Sequence, residues 1–231
     1  MPYEIIQLPN KKYSVINIIT KHLFSQGTTK AKAKSQMRLL YMKAREMDGA
    51  GASGKMEGGS DGGIYDSMSD EDLHKYFPNA KIVKYSEIPR ETPVEEFMKI
   101  GEVIFLLYEH ELNSGHWCCI ARGPKAVFYF DSYGNPPDYP LRWTDEETRE
   151  ELGENEKVLT RMFQMSKVPV YYNTEDYQSK KDGISTCGRW CVLFLAHFKK
   201  KHGDLKSFKK ETFKRANGRP LDEYVAGIVD G

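Results

Sequence analysis

The stretch "DGISTCGRWCVLFLAHF", Asp182–Phe198, decides how the rest of the chain reads. Gly183, Ser185 and Thr186 form a small-residue approach to Cys187, and a run of good helix formers follows. That layout predicts a helix whose first turn carries Cys187. Unpaired amides and the positive end of the helix dipole favour a thiolate there, well below the ~8.5 of a free thiol. Cys191 comes one turn later, among Trp190, Val192, Leu193 and Phe194, and reads as a buried packing residue.

A thiolate nucleophile needs a base. Of six histidines, His22, His74 and His110 lie in polar or loop-like surroundings, and His197 and His202 belong to the C-terminal helical region. His116 differs, because it opens a strand directly after a glycine turn. Three strand-like runs, "EVIFLLYE" (102–109), "HWCCIARG" (116–123) and "KAVFYFDS" (125–132), are separated by short turns and read as an antiparallel meander. In such a pair the start of one strand lies opposite the end of the next. Asp131, at the end of the third run, can therefore face His116. A carboxylate there would orient the imidazole and stabilise imidazolium. Cys118 and Cys119 should be one inward and one outward strand residue.

Further out, "SDEDLHKYF" reads as a capped short helix and "AKIVKYSEI" as a strand. "TPVEEFMKI" suggests a helix capped by Thr92, 144–165 looks helical, and "VPVYYN" (168–173) is another strand. Helices are expected over 187–202, near 204–215 and over 219–229. Residues 1–27 suggest a short strand or arm and an apolar segment. Residues 28–48 suggest a helix capped by Thr28 or Thr29, with Met37, Leu40, Tyr41 and Ala44 on one face. The run 49–63, with seven glycines, reads as a loop or linker. The expected fold is α+β: a small mixed, largely antiparallel sheet with the helix of Cys187 packed on it and helices at both ends. The domain reading is one domain over 1–231, with a helical region 1–48, a glycine-rich loop 49–63 and a core 64–231.

With 231 residues and 39% hydrophobic content, the chain can bury one sizeable core. Lys+Arg 34 against Asp+Glu 33 leaves a net charge of +1, so global charge makes no case for nucleic acid or acidic membrane. No apolar run reaches the ~20 residues of a membrane span, and the N-terminus lacks a secretory layout. Four cysteines without such a signal point to free thiols in a reducing compartment.

"GHW" on one strand, "FDSYG" on the next, and "YQ" ahead of "STCGRWCVLF" together resemble the adenain and ubiquitin-like-protein-protease group of cysteine proteases. The likeness is greatest to maturation proteases of adenoviruses, virophages, polinton-type elements and large DNA viruses, and it covers roughly 100–200. It implies Cys187 as nucleophile, His116 as general base and acid, and Asp131 as the orienting acid. Gln178 would donate to the oxyanion beside a backbone amide. Trp117 would cover the catalytic pair as a lid over a narrow tunnel, and with Gly188 would border the substrate. Gln178 stands nine residues before Cys187, a longer spacing than the family pattern. Either a longer loop returns it to the site, or Asn173 or a backbone amide takes its place.

The resemblance further implies a monomeric thiol endopeptidase without cofactor or metal, cleaving viral capsid or other structural precursors during maturation, with small or Gly residues before the cut. An activating peptide or DNA is a possible partner, a membrane is not, and the expected location is host cytoplasm, viral factory and virion. Deconjugation of ubiquitin-like proteins and an inactive interaction module are the alternatives. A zinc site from His116, Cys118, Cys119, Cys187 and Cys191 is disfavoured by the opposed side chains of Cys118 and Cys119 and by the missing ligand spacing. The basic segment 199–215 reads as a solvated surface.

Overall fold

The computed structural model describes residues 3–9, 11–17, 27–30, 32, 33, 63–181, 183–201 and 203–230. The chain divides into two compact units, Met1–Gly59 and Ser60–Gly231. In the first, β1 (Tyr3–Gln7) and β2 (Tyr13–Asn17) form an antiparallel hairpin, with Tyr3 opposite Asn17. Tyr13 also bridges to Thr28. A helix begins at Lys30, where the Thr29 hydroxyl accepts from Lys32 N and the Thr29 carbonyl from Ala33 N. The rest of the helix expected over 28–48, and the glycine-rich run as far as Gly62, lie outside the described residues.

The second unit is built on a five-stranded sheet in the order β3-β4-β5-β6-β7. These strands are β3 (Lys81–Lys84), β4 (Val103–Glu111), β5 (Ser114–Arg122), β6 (Val127–Asp131) and β7 (Val170–Tyr172). The central three form the expected antiparallel meander, and the two edge strands run parallel to their neighbours. The strand runs are almost continuously apolar because both faces of the sheet are covered.

On one face, Phe105, Leu107, Trp117, Cys119 and Phe130 pack against α5 (Cys187–Lys201), α6 (Leu205–Ala216) and α7 (Leu221–Val229). Phe130 stacks on Phe194 at 4.9 Å and meets the edge of Phe208 at 5.5 Å. Such pairs add ~0.5–1.5 kcal/mol beyond their burial. On the other face, Ile104, Leu106, Cys118, Ile120 and Tyr129 are covered by Tyr85, α2 (Val94–Phe97), Leu141 and α4 (Val158–Gln164). Cys118 and Cys119 do point to opposite faces, but each lies in its own core, so neither is an outward residue.

The local expectations hold where caps were legible. Ser69 forms a capping box with Asp72 at the head of α1 (Asp70–Tyr76). The region 144–165 is two helices, α3 (Glu146–Leu152) and α4, because Gly153 ends the first in a left-handed turn. Thr92 does not cap α2: Pro93 takes the cap position, and the Thr92 hydroxyl donates to the Arg90 carbonyl instead. Among the described residues, no helix is long and apolar enough to cross a membrane.

Candidate active site

His116 enters β5 through a hairpin that only glycine can complete. A Cβ on Gly115 would stand 1.8 Å from the Tyr108 carbonyl oxygen. The next strand then brings Asp131 opposite Cys118, on the face that His116 shares. His116 Nε2 and Asp131 Oδ1 are 2.7 Å apart, and both residues are buried. The ring's Nδ1 is thereby left for the sulfur. Asp131 is itself held on all sides. Its carboxylate accepts from Tyr133 N at 2.9 Å and from Asn135 Nδ2 at 3.0 Å. Asn173 brackets its backbone, accepting from Asp131 N and donating to Asp131 O. Asn173 thus serves the acid and does not stand in as an oxyanion donor.

Trp190 N returns to Thr186 O at 3.0 Å, so Cys187 opens the first turn of α5. Burial alone would push its thiol up. Hydrogen bonding to His116, the charge on that imidazole, and the Trp117 and Gly188 amides outweigh burial and hold Cys187 below the ordinary thiol value. The three other cysteines go the opposite way. Burial raises Cys119 and Cys191, and burial together with the Asp131 charge pushes Cys118 up to about 12.

For His116, burial opposes the charged ring, yet its pKa sits well above the ordinary value. Cys118 and Asp131 are the neighbours that would favour the charge. Cys118 is a neutral thiol at neutral pH, so Asp131 carries the stabilisation.

The residues after Asp131 bind the remaining candidate. Ser132 O accepts from the amides of Tyr177 and Gln178, and Ser132 Oγ donates to Gln178 Oε1 at 2.9 Å. Gln178 Nε2 donates to Tyr133 Oη at 3.0 Å and to Ile184 O at 3.2 Å. The longer loop therefore does bring Gln178 back, to the ring that stacks on His116.

Trp117 takes a different place from the lid expected of it. Neighbouring strand residues face opposite sides, so its indole enters the core beneath α5, with Nε1 donating to Met68 O at 2.9 Å. The rings on His116 are Tyr133, stacked at 5.1 Å, and Trp143, edge-on at 5.1 Å. Trp117 instead lines a cleft of about 380 Å³ with Met68 and Gly115. Gly188 is buried against Met68, whose Cβ would lie 3.0 Å from a Cβ at that position.

Tyr133 and Asn135 lie two and four residues after Asp131, in the same "FDSYGN" turn. Trp143 and Met68 carry no sequence signal.

His116, Cys118 and Asp131 offer atoms within 4.8 Å of one another, the one possible metal-binding group among the described residues. Its geometry fits hydrogen bonding. Two ligands of a tetrahedral zinc, bonded at ~2.0–2.3 Å, stand over about 3 Å apart, whereas His116 and Asp131 touch at 2.7 Å and Tyr129 Oη donates to Cys118 Sγ at 3.1 Å. Cys119 faces the other core, against Cys191 O.

The chain is thus an α+β protein with a buried Cys–His–Asp group at a helix start. No protein-family model matches it. It is 32% identical over 146 residues to the uncharacterized protein V9 of Sputnik virophage, covering 62% of this chain and 82% of that protein. The chain belongs to the family of that virophage protein.

Proposed function

We propose that the chain is a cysteine endopeptidase that cleaves viral structural precursors. One observation carries this reading. Of four buried thiols, Cys187 alone is held below its ordinary value, beside an imidazole whose far nitrogen is on a buried carboxylate. The viral relative supports the setting.

In the reaction, His116 Nδ1 takes the Cys187 proton and the thiolate attacks the scissile carbonyl carbon. The carbonyl oxygen becomes an oxyanion, which accepts from the amides at the start of α5. Preorganised donors of this kind lower such barriers by ~3–4 kcal/mol. Gln178 joins them by exchanging one of its two present acceptors for the oxyanion. The C–N bond then breaks, and the His116 Nδ1 proton goes to the departing amine. Water, deprotonated by His116, hydrolyses the thioester and restores the thiol.

The test is a cleavage profile of the full chain on peptides spanning virus structural proteins, beside a ubiquitin-like thiol-reactive probe. Cutting that disappears with Cys187→Ala supports the proposal. Probe labelling without peptide cutting would move the substrate to ubiquitin-like conjugates. Neither activity would make the chain a binding module.

A further inference from the structure

Two open surfaces of different character lie near His116, one lined by its chain neighbours Gly115 and Trp117 and one meeting its ring. One is the cleft past Met68 and Trp117. It lies on the side of the nucleophile, because Gly188, the residue after Cys187, packs directly on Met68. The other begins where the imidazole meets the edge of Trp143. Trp143 is 47% exposed, and Tyr139, 6.3 Å away, is 37% exposed. The Arg142 guanidinium lies over the Tyr139 ring at 5.1 Å. Two partly exposed aromatic rings, one of them under the Arg142 guanidinium, thus form a ledge beside the base.

The ledge is held rigidly. Pro140 and Leu141 beneath it are buried. The turn that starts it is made by Asp138 at φ 65, in the left-handed region. The Asp138 carboxylate accepts from Tyr85 Oη at 2.6 Å and from Thr160 N at 2.8 Å. Arg149 donates to the Leu141 carbonyl at 2.9 Å. Fixed aromatic area of this kind, open to solvent next to a reacting group, suits a contact made by substrate.

The chemistry says which part of the substrate arrives there. When the scissile bond breaks, the acyl half remains on Cys187 and the amine half takes its proton from His116. The residues before the cut therefore belong to the cysteine side, along the Met68–Trp117 cleft. The residues after the cut leave across the far side of His116.

We propose that Trp143 and Tyr139 form the subsite for the first residue after the scissile bond, and that they select an aromatic or large aliphatic side chain there. This inference rests on the acyl-transfer reading of Cys187 and His116 and adds the substrate class that the site accepts.

The experiment uses the full chain and peptides that share one sequence before the cut and differ only in the first residue after it. Wild type should cut the Phe and Leu peptides about tenfold faster than the Gly and Asp peptides, the discrimination an apolar pocket can supply. Trp143→Ala should reduce that ratio to about twofold or less, and Trp143→Phe should keep most of it. A ratio compares peptides on one enzyme, so a general loss of activity through His116 or through stability does not move it.

A second measurement needs no catalysis. Peptides beginning with Phe or Gly, with a free amine, are titrated into Cys187→Ala protein by calorimetry. The Phe peptide should bind more tightly, and Trp143→Ala in the same background should abolish the difference. Trp143-dependent Phe binding without any wild-type cleavage would uphold the ledge while removing the peptidase reading. Cleavage with equal rates for Phe and Gly peptides, together with equal binding, would overturn the ledge and leave the peptidase reading standing.

Discussion

Asp222 and Thr186 are joined across the molecule: the Asp222 carboxylate on α7 accepts from Thr186 Oγ1 at 2.5 Å. Its other oxygen accepts from Ser179 N at 2.9 Å. Ser179 follows Gln178, and Thr186 precedes Cys187. One buried carboxylate on the C-terminal helix therefore pins both ends of the loop between two candidate site residues. Asp222→Ala would leave two donors unmatched, at ~1–3 kcal/mol each if both stay buried. We expect Tm to fall by roughly 2–4 °C per kcal/mol lost, with kcat falling more than KM changes. Thr186→Val, which loses one of the two bonds, should give a smaller effect. Thermal unfolding and steady-state kinetics on the same preparations check this, and an unaltered Tm in Asp222→Ala would show that the loop does not depend on the bridge.

Cys187 and Cys191 sit one turn apart on α5, yet their thiols differ in kind. Cys187 is held down by His116, whereas burial holds Cys191 up. Iodoacetamide at neutral pH should alkylate Cys187 first, as read by peptide mass mapping. Cys187→Ala should abolish peptide cleavage with the fold intact. Cys191→Ala should keep most activity and cost ~1–2 kcal/mol through the small cavity it leaves. Faster labelling of Cys191 would reverse the assignment.

Asp131→Asn tests the orienting acid through pH. The thiolate–imidazolium pair persists from the lowered Cys187 value up to the raised His116 value. Without the carboxylate, imidazolium is less stable. The His116 limb then moves down, the Cys187 limb moves up, and the bell of kcat/KM narrows from both sides. Residual activity with a narrowed profile is the expected result. An unchanged profile would reduce Asp131 to a turn residue.

Glu154 offers a stability test away from the site. It is buried and accepts from Glu109 N at 2.9 Å. Burial, opposed by that amide and reinforced by the Glu109 charge, raises its carboxyl from 4.5 to about 7. The folded chain thus holds this proton more tightly than the unfolded chain does. Its stabilising contribution is complete below the unfolded value and is lost as pH rises through the folded one. Glu154→Gln keeps the acceptor for Glu109 N without the charge. Its Tm should exceed that of wild type at about pH 8 and fall level with it or below near pH 5. A Tm difference that does not change with pH would refute the linkage.

Much of the fold could be read along the chain because it rests on local rules. The three central strands announced themselves by apolar runs between turns, α1 by its Ser69–Asp72 box, and α5 by small residues followed by helix formers. The pairing of His116 with Asp131 followed from hairpin geometry, since strand register carries a local pattern across a short distance. Thr92 misled because a good capping residue was displaced by the proline beside it, which suits the start of a helix on its own account. Trp117 misled because alternation along a strand placed it in the opposite core from its neighbour His116.

The amino-acid sequence by itself determined which thiol could open a helix, that His116 would lie on a strand just after a turn, though β5 begins two residues earlier at Ser114, and that the fold would be α+β. Those are consequences of backbone propensity and side-chain alternation, which act over a few residues. Only the tertiary structure decided that Asp138 props Trp143 against the imidazole, that Asn173 serves Asp131, and that Asp222 ties the Gln178 loop to the start of α5. These contacts join residues from separate elements, and none has a period or spacing that a single sequence can display. They exist because two packed cores bring the start of β5, the end of β6 and the starts of α5 and α7 together at one end of the central strands.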